Sequence, residues 1–498
     1  MHFWHKLRRP SLWVGLLFLS PLAIVEAQIR PADRELTPNQ VRSDVALAKE
    51  VYERLHPGYT RYASKADLDA GWAGVVDRAI AENGMTVGDF YLAIERTLVG
   101  IRCDHTKAEL PRDLRLERET ARLYLPARWL LIEDRALVYQ AGKDSPLNYG
   151  DEILSVDGRP MSELVAEVAP LIPVDGFTEW SRRGGVSESR EFMGGAVDHF
   201  GALLWEVEPT ATLEVQSSSG VTRTESVERL NYQQWRELGD GIAGAANFRD
   251  AVQLERLGDR GAYLRVDTFV NYRDPVKPDK IYDPIFKALR REKRDFLILD
   301  LRRNGGGSND AQFRLLAHLT DERLPIVKDM RAKTLNLDGV REHLWTWDKT
   351  HLDPPRIGYR ENEDGTFSPR RIFAEDLQSI NPDRYAFAGR LIVLTSTENS
   401  SGSTMLLAML KELDNATFIG EPTGGSAEGP TAGIQFTLTL PESRVRTRVP
   451  FFRYYVNVSS FDSGLGVTPD ISAPMTVAAF RDRRDPAKEA AMALLESR

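Results

Sequence analysis

Residues 390–426 read RLIVLTSTENSSGSTMLLAMLKELDNATFIGEPTGGS, and their reading decides the fold. Leu391 to Leu394 is a short apolar run that fits a buried parallel strand. Ser400-Ser401-Gly402-Ser403 then turns the chain, and Thr404 to Leu413 carries Met405, Leu406, Met409, Leu410 and Leu413 at helical spacing. A second strand and the Gly-rich GEPTGG turn follow. A serine between strand and helix reads in two ways. It is a common N-cap. It is also where a hydroxyl is exposed at the positive end of a helix and backbone N–H groups point at a developing oxyanion.

Working outward, strands alternate with helices on both sides of this stretch, which implies parallel β-α-β units. Upstream, Ala262 to Val266 is a strand, Ile281 to Arg291 a helix and Phe296 to Leu299 a buried strand. That strand ends in Asp300-Leu301-Arg302-Arg303-Asn304-Gly305-Gly306-Gly307-Ser308. Three glycines at the carboxyl end of a parallel strand let backbone N–H groups approach a ligand closely. The loop lacks the Lys-Ser/Thr of a phosphate loop, and Asp300 and Arg302 read as its braces. Downstream, Ile434 to Leu440 and Val445 to Val458 are paired strands, followed by Gly466-Val467-Thr468-Pro469-Asp470-Ile471 and a C-terminal helix, Pro486 to Glu496. Residues 329–383 are Pro-rich, charged and weakly periodic, and read as an insertion with little regular structure.

The core domain starts near Ala243. Before it, residues 111–237 turn to short strands, with Gly150-Asp151-Glu152-Ile153-Leu154-Ser155-Val156-Asp157-Gly158 as strand and tight turn. Residues 36–110 are helical, with N-cap signals at Ser64 and Thr86. Directly after the third helix comes Ile101-Arg102-Cys103-Asp104-His105-Thr106. His105 reads as a turn histidine bonded to backbone or as a group exposed enough for proton transfer.

The amino terminus, residues 1–27, has a basic start, an apolar run from Leu12 to Val25 and the small residues Val25 and Ala27 before Gln28. This is the pattern of a cleaved signal peptide, so an exported chain starting near Gln28 is expected; an uncleaved anchor is the alternative. The 498 residues are 42% hydrophobic and 28% charged, enough for two or three domains with cores. A net charge of -8 gives no basic face for nucleic acid or an acidic membrane. Cys103 is the one cysteine, so no intrachain disulfide forms. No CxxC pair or HExxH is present, and no metal or organic cofactor is expected.

In this order, GDEILSVDG, DLRRNGGGS, the serine turn, and GEPTGG with GVTPDI resemble the tail-specific, or C-terminal processing, protease family of serine peptidases, family S41. The resemblance implies an α/β multidomain chain: an N-terminal helical domain, a PDZ-like β module and a ClpP/crotonase-like α/β core. It implies Ser401 as nucleophile and an oxyanion hole built from Gly402 and Gly305 or Gly306. The familiar members use a lysine base shortly after GEPT, and that position here is Ser426. Lys411 does not replace it, being about 15 Å along the helix from Ser401. The tricorn-like branch instead takes a histidine at the end of the helical domain, where His105 stands, and a glutamate near the final Gly-Val-x-Pro-Asp segment. The nearest carboxylate there is Asp462; Glu428 and Glu421 are alternatives, and Lys107 is an alternative base. A polypeptide substrate is expected. Two other functions fit the same motifs: a non-catalytic binding protein on this scaffold, and a hydrolase of non-peptide esters or amides.

Overall fold

The structure is a computed structural model, and it describes residues 30–189, 191–239, 247–459 and 461–496. The expected signal peptide, residues 1–27, and the expected start of the core near Ala243 lie outside the described residues.

Three helices open the described chain: α1 (Pro38–Leu55), α2 (Lys65–Ala81) and α3 (Val87–Val99). Thr37, Ser64 and Thr86 cap them by accepting the N–H three residues on, which satisfies first-turn donors that have no intrahelical partner. Phe90, Tyr91, Ile94 and Leu98 of α3 are fully buried. Burial of each such side chain stabilises by roughly 1.5–3 kcal/mol, so α3 is the anchor from which the following loop projects. That loop carries His105 and runs into a two-residue strand, β1 (Ala108–Glu109).

A β-rich module follows, built as an antiparallel sheet from β2 (Ala127–Ile132), β3 (Arg135–Ala141), β4 (Glu152–Val156), β5 (Thr210–Gln216) and β6 (Thr222–Glu228) in that order. The helices α4 (Met161–Val168) and α5 (Ala196–Leu204) are inserted between β4 and β5. On β5 the alternation Ala211, Leu213, Val215 faces inward while its neighbours are exposed or half-buried, the period of a strand with one buried face.

The core is a six-stranded sheet in the order β7 (Val252–Leu257), β8 (Gly261–Val266), β9 (Phe296–Asp300), β12 (Arg390–Thr395), β13 (Ala416–Gly420) and β16 (Ile471–Ser472). All pairs from β8 to β16 are parallel; β7 is antiparallel at the edge. Every residue of β9 is buried, as a central strand covered on both faces requires. Helices α6 (Pro278–Arg291), α7 (Asn309–Ala317), α8 (Ser401–Lys411) and α9 (Pro486–Glu496) connect or flank the strands. Gly402 to Leu410 of α8 are all buried. The helix is therefore internal rather than amphipathic, and its small residues at the start let it sit against the glycine loop.

A second sheet holds β10 (Val327–Arg331), β15 (Arg446–Val456), β14 (Thr431–Thr439) and β11 (Leu344–Trp345), in that order. The segment 329–383 is more regular than its composition suggests. It supplies β11 and a small hairpin of Tyr359–Glu361 with Phe367–Pro369. These strands are too short to leave a periodic pattern in the sequence. No described helix is long and apolar enough to cross a membrane.

Candidate active site

The site forms where the carboxyl ends of β9 and β12 meet the loop after α3. β9 and β12 are adjacent and parallel, with Asp300 opposite Leu394, so the loops leaving them run side by side. Ser401 sits between β12 and the body of α8 at φ +52°. A non-glycine residue in the left-handed region carries strain of roughly 1–2 kcal/mol. Such a turn lifts the side chain off the strand end and leaves its hydroxyl accessible.

Asn399, fully buried, ties the turn down. Its amide donates to the carbonyls of Leu301 and Asn304 at 2.6 and 3.0 Å. Its carbonyl accepts from the N–H groups of Gly424 and Gly425, both at 2.8 Å. One side chain and its backbone thus join the serine turn, the DLRRNGGGS loop and the GEPTGG turn. Asp300 and Arg302 act as the sequence suggests: Arg302 donates to both Asp300 oxygens and to Asp485.

Gly306 lies against the serine. Its φ is +101°, and a Cβ there would meet Gly402 N and Ser401 Cβ, each at 2.9 Å, so no side chain fits. The Gly306 N–H donates to Asn304 Oδ1 at 2.9 Å and is engaged in this conformation. The Gly402 N–H is in the first turn of α8, among the donors that no carbonyl within the helix reaches.

His105 arrives from the other side. β1 pairs with β15, Ala108 opposite Thr447 and Glu109 opposite Arg446, and Arg448 N–H donates to the Lys107 carbonyl at 3.0 Å. With α3 fixed at one end and β1 at the other, the loop has little freedom. It places His105 Nε2 3.1 Å from Ser401 Oγ, across 296 residues of sequence. Asp104 Oδ1 lies 2.6 Å from His105 Nδ1, and Ser400 Oγ donates to Asp104 Oδ2. Burial disfavours charge on both groups, but their mutual attraction outweighs it: Asp104 is held below the ordinary carboxylate range and His105 well above the ordinary imidazole value. Behind Asp104, burial and the Asp104 charge push Asp175 up to about 6. Asp175 Oδ2 accepts the Ser426 N–H at 2.9 Å.

The other sequence-selected groups are placed elsewhere. Asp462 is exposed, and its backbone carbonyl accepts from Leu465 N–H; the carboxylate at His105 is Asp104, not Asp462. The reason is local. Asp104 and His105 form a turn just after Arg102 at φ +59°, so two consecutive side chains reach the same place. Glu428 is taken up by Tyr62, Arg61 and Ser463. Glu421 faces Arg183 and Glu398 and is pushed up by burial. Lys107 is buried and paired with Glu191 at 2.9 Å, and Lys411 is paired with Asp470. Ser426, which stands where the resemblance would put a lysine base, is buried. Sequence reading missed Asp104, Ser400, Asn399 and Asn304. The signal for the first two was adjacency: each precedes a selected residue by one.

Residues 260–473 match the model of peptidase family S41. This core segment is similar to peptidase family S41. The matched span contains the parallel sheet from β9 to β16, the glycine loop and the serine turn; the helical segment with His105 and the β-rich module precede it. Among solved structures, mature CPAF complexed with lactacystin superposes with a TM-score of 0.63 at 17% identity, covering 92% of this chain and 97% of that one. Mature CPAF alone gives a TM-score of 0.61 at 18% identity, covering 91% and 96%. The photosystem II D1 C-terminal processing protease covers 88% of this chain and 93% of its own at 17% identity, with a TM-score of 0.41. The CPAF superpositions cover more than nine-tenths of this chain, so the chain shares an α/β multidomain fold with them.

Proposed function

We propose that this chain is an exported serine peptidase of the S41 kind that cleaves peptide bonds through an acyl-enzyme on Ser401, with His105 as general base and Asp104 as the carboxylate that positions it. The observation that carries the reading is the 3.1 Å approach of His105 Nε2 to Ser401 Oγ, within hydrogen-bond reach of a nucleophile and its base.

Asp104 beside Nδ1 favours the tautomer with its proton there, which leaves the Nε2 lone pair for the Ser401 hydroxyl. Ser401 Oγ attacks the scissile carbonyl carbon as its proton passes to Nε2. The imidazolium then protonates the leaving amine, and the acyl group stays on Ser401 as an ester. Water, deprotonated by His105, hydrolyses that ester and restores the serine. The Gly402 N–H supplies one oxyanion donor. The Gly306 N–H is committed to Asn304, which leaves Gly305, on the same loop, for the second. A donor of this kind is worth about 10²–10³ in rate.

The β-rich module is read as PDZ-like from its GDEILSVDG turn. It is pinned beside the site by Thr178 Oγ1 donating to the Gly424 carbonyl at 2.6 Å and Trp180 Nε1 to the Thr423 carbonyl at 2.9 Å, a placement suited to a spacer or lid. The signal-peptide pattern of residues 1–27 is what supports export. A fluorophosphonate probe with adduct mapping by mass spectrometry tests the mechanism. An adduct on Ser401 that disappears in His105→Ala is expected. An adduct that survives in His105→Ala moves the base elsewhere, and no adduct on folded protein overturns the peptidase reading. Cleavage of peptides rather than simple esters is the further expected outcome.

A further inference from the structure

Behind the Ser401–His105 contact, three donors that suit borderline transition-metal ions converge. Cys103 Sγ, an Asp104 carboxylate oxygen and a His105 ring nitrogen lie within 4.8 Å of one another. Cys103 is 3% exposed, and its thiol makes a weak donation to the Thr431 carbonyl at 3.4 Å. The mechanism above has no use for it. Asp104 Oδ1 and His105 Nδ1 are buried atoms without a hydrogen bond of good geometry, although they face each other at 2.6 Å. Another cluster, Asp283, His318 and Asp383, has a similar composition. There Arg314 donates to both carboxylates, so a guanidinium already supplies the positive charge. Among the described residues Asp104 is ion-paired with His105 alone, and Lys107, itself paired with Glu191, adds only a longer-range attraction.

We propose that Cys103, Asp104 and His105 form an inhibitory site for a zinc-class divalent ion. The inference rests on His105 being the base. A sulfur, a nitrogen and an oxygen suit Zn²⁺ rather than Ca²⁺ or Mg²⁺, which take oxygen ligands, and three protein ligands leave a fourth position for water. Zinc bonds of about 2.0–2.3 Å place tetrahedral ligand atoms roughly 3–4 Å apart, so the three donors close on an ion with small side-chain shifts. On binding, the Cys103 thiol proton leaves to solvent and sulfur bonds the metal as thiolate. The ion takes the Nδ1 lone pair, and the proton that Nδ1 carried moves to Nε2. The ring nitrogen facing Ser401 then holds a proton and has no lone pair to accept another. The serine hydroxyl loses its base, and the peptidase is held off without any change at Ser401.

Two readouts on the full exported chain test this. The first is the absorption spectrum with Co²⁺ alone, which does not depend on activity. A thiolate-to-cobalt band at one ion per chain, displaced by Zn²⁺ and lost in Cys103→Ser, is expected. Absence of the band in the unsubstituted protein overturns the proposal. The second is fluorophosphonate labelling of Ser401 with and without Zn²⁺. At free Zn²⁺ about ten times its dissociation constant, labelling falls about tenfold and returns on chelation. Cys103→Ser labels normally without metal and resists Zn²⁺. Equal zinc inhibition in Cys103→Ser, or in Cys103→Ala should the serine variant not fold, overturns the proposal by placing the ion elsewhere. If Ser401 is unlabelled even under chelation, the peptidase reading fails, while the cobalt band still decides the metal site.

Discussion

In the proposed mechanism Asp104 and Ser401 are central, and each is held in a costly state. Asp104 keeps its charge although partly buried, because His105 and the Ser400 hydroxyl favour the carboxylate. Replacing it as Asp104→Asn removes the charge and the tautomer preference together, and kcat is expected to fall about 10³-fold or more. The pH profile gives the sign. His105 must be neutral to accept a proton, and Asp104 raises its pKa above the ordinary value. Activity therefore rises with pH through that raised pKa. In Asp104→Asn the remaining activity rises at lower pH, because the charge that favoured imidazolium is gone; an unshifted acid limb would show that another group titrates. Ser401 gives a second expectation. At φ +52° it is strained, and glycine relieves that strain where alanine does not. Both Ser401→Ala and Ser401→Gly abolish labelling, but Ser401→Gly is expected to be more stable than Ser401→Ala by about 1 kcal/mol, measured by denaturant unfolding.

At the level of elements, the site is a junction of three turns rather than a pocket in one domain. The serine turn, the glycine loop and the GEPTGG turn share Asn399. Gly306 is the tightest point. A methyl group there meets Gly402 N and Ser401 Cβ at 2.9 Å, and alanine is disfavoured at φ +101°. By displacing Ser401, Gly306→Ala is expected to lower fluorophosphonate labelling by about 10²-fold while circular dichroism keeps the native helix and strand content. The same substitution at Gly158, where nothing lies within 4 Å of the added Cβ, changes backbone strain but leaves labelling unchanged.

On the scale of the molecule, the proposed base and nucleophile belong to different layers, and the antiparallel pairing of β1 with β15 brings them together. Arg448 reinforces that pairing: its guanidinium donates to Glu109 at 2.6 Å and Glu191 at 2.8 Å, and Glu191 also holds Lys107. Arg448→Ala loosens the loop without touching either catalytic group. A misplacement of about 1 Å costs up to about 10²-fold, so kcat is expected to drop about ten- to a hundredfold with the labelled residue still Ser401. An unchanged kcat would show that α3 alone holds the loop.

The sequence by itself determined a good deal. Apolar runs of strand length, helices between them and glycines at strand ends are local signals, so the parallel core, the serine turn and the glycine loop were all legible. The same holds for the capped helices before His105. Local signals stop where a side chain's partner comes from elsewhere in the chain. Nothing near Lys107 announces Glu191, and nothing near Ser426 announces Asp175. Asp462 was chosen for its distance from a motif, and it lies exposed. Asp104 was overlooked because residues adjacent in sequence ordinarily point apart, and only the turn after Arg102 brings its carboxylate to His105. The meeting of His105 with Ser401 was decided by the tertiary structure alone. It depends on how α3 packs and where β1 adds to a sheet, and both are set by the burial of side chains hundreds of residues apart.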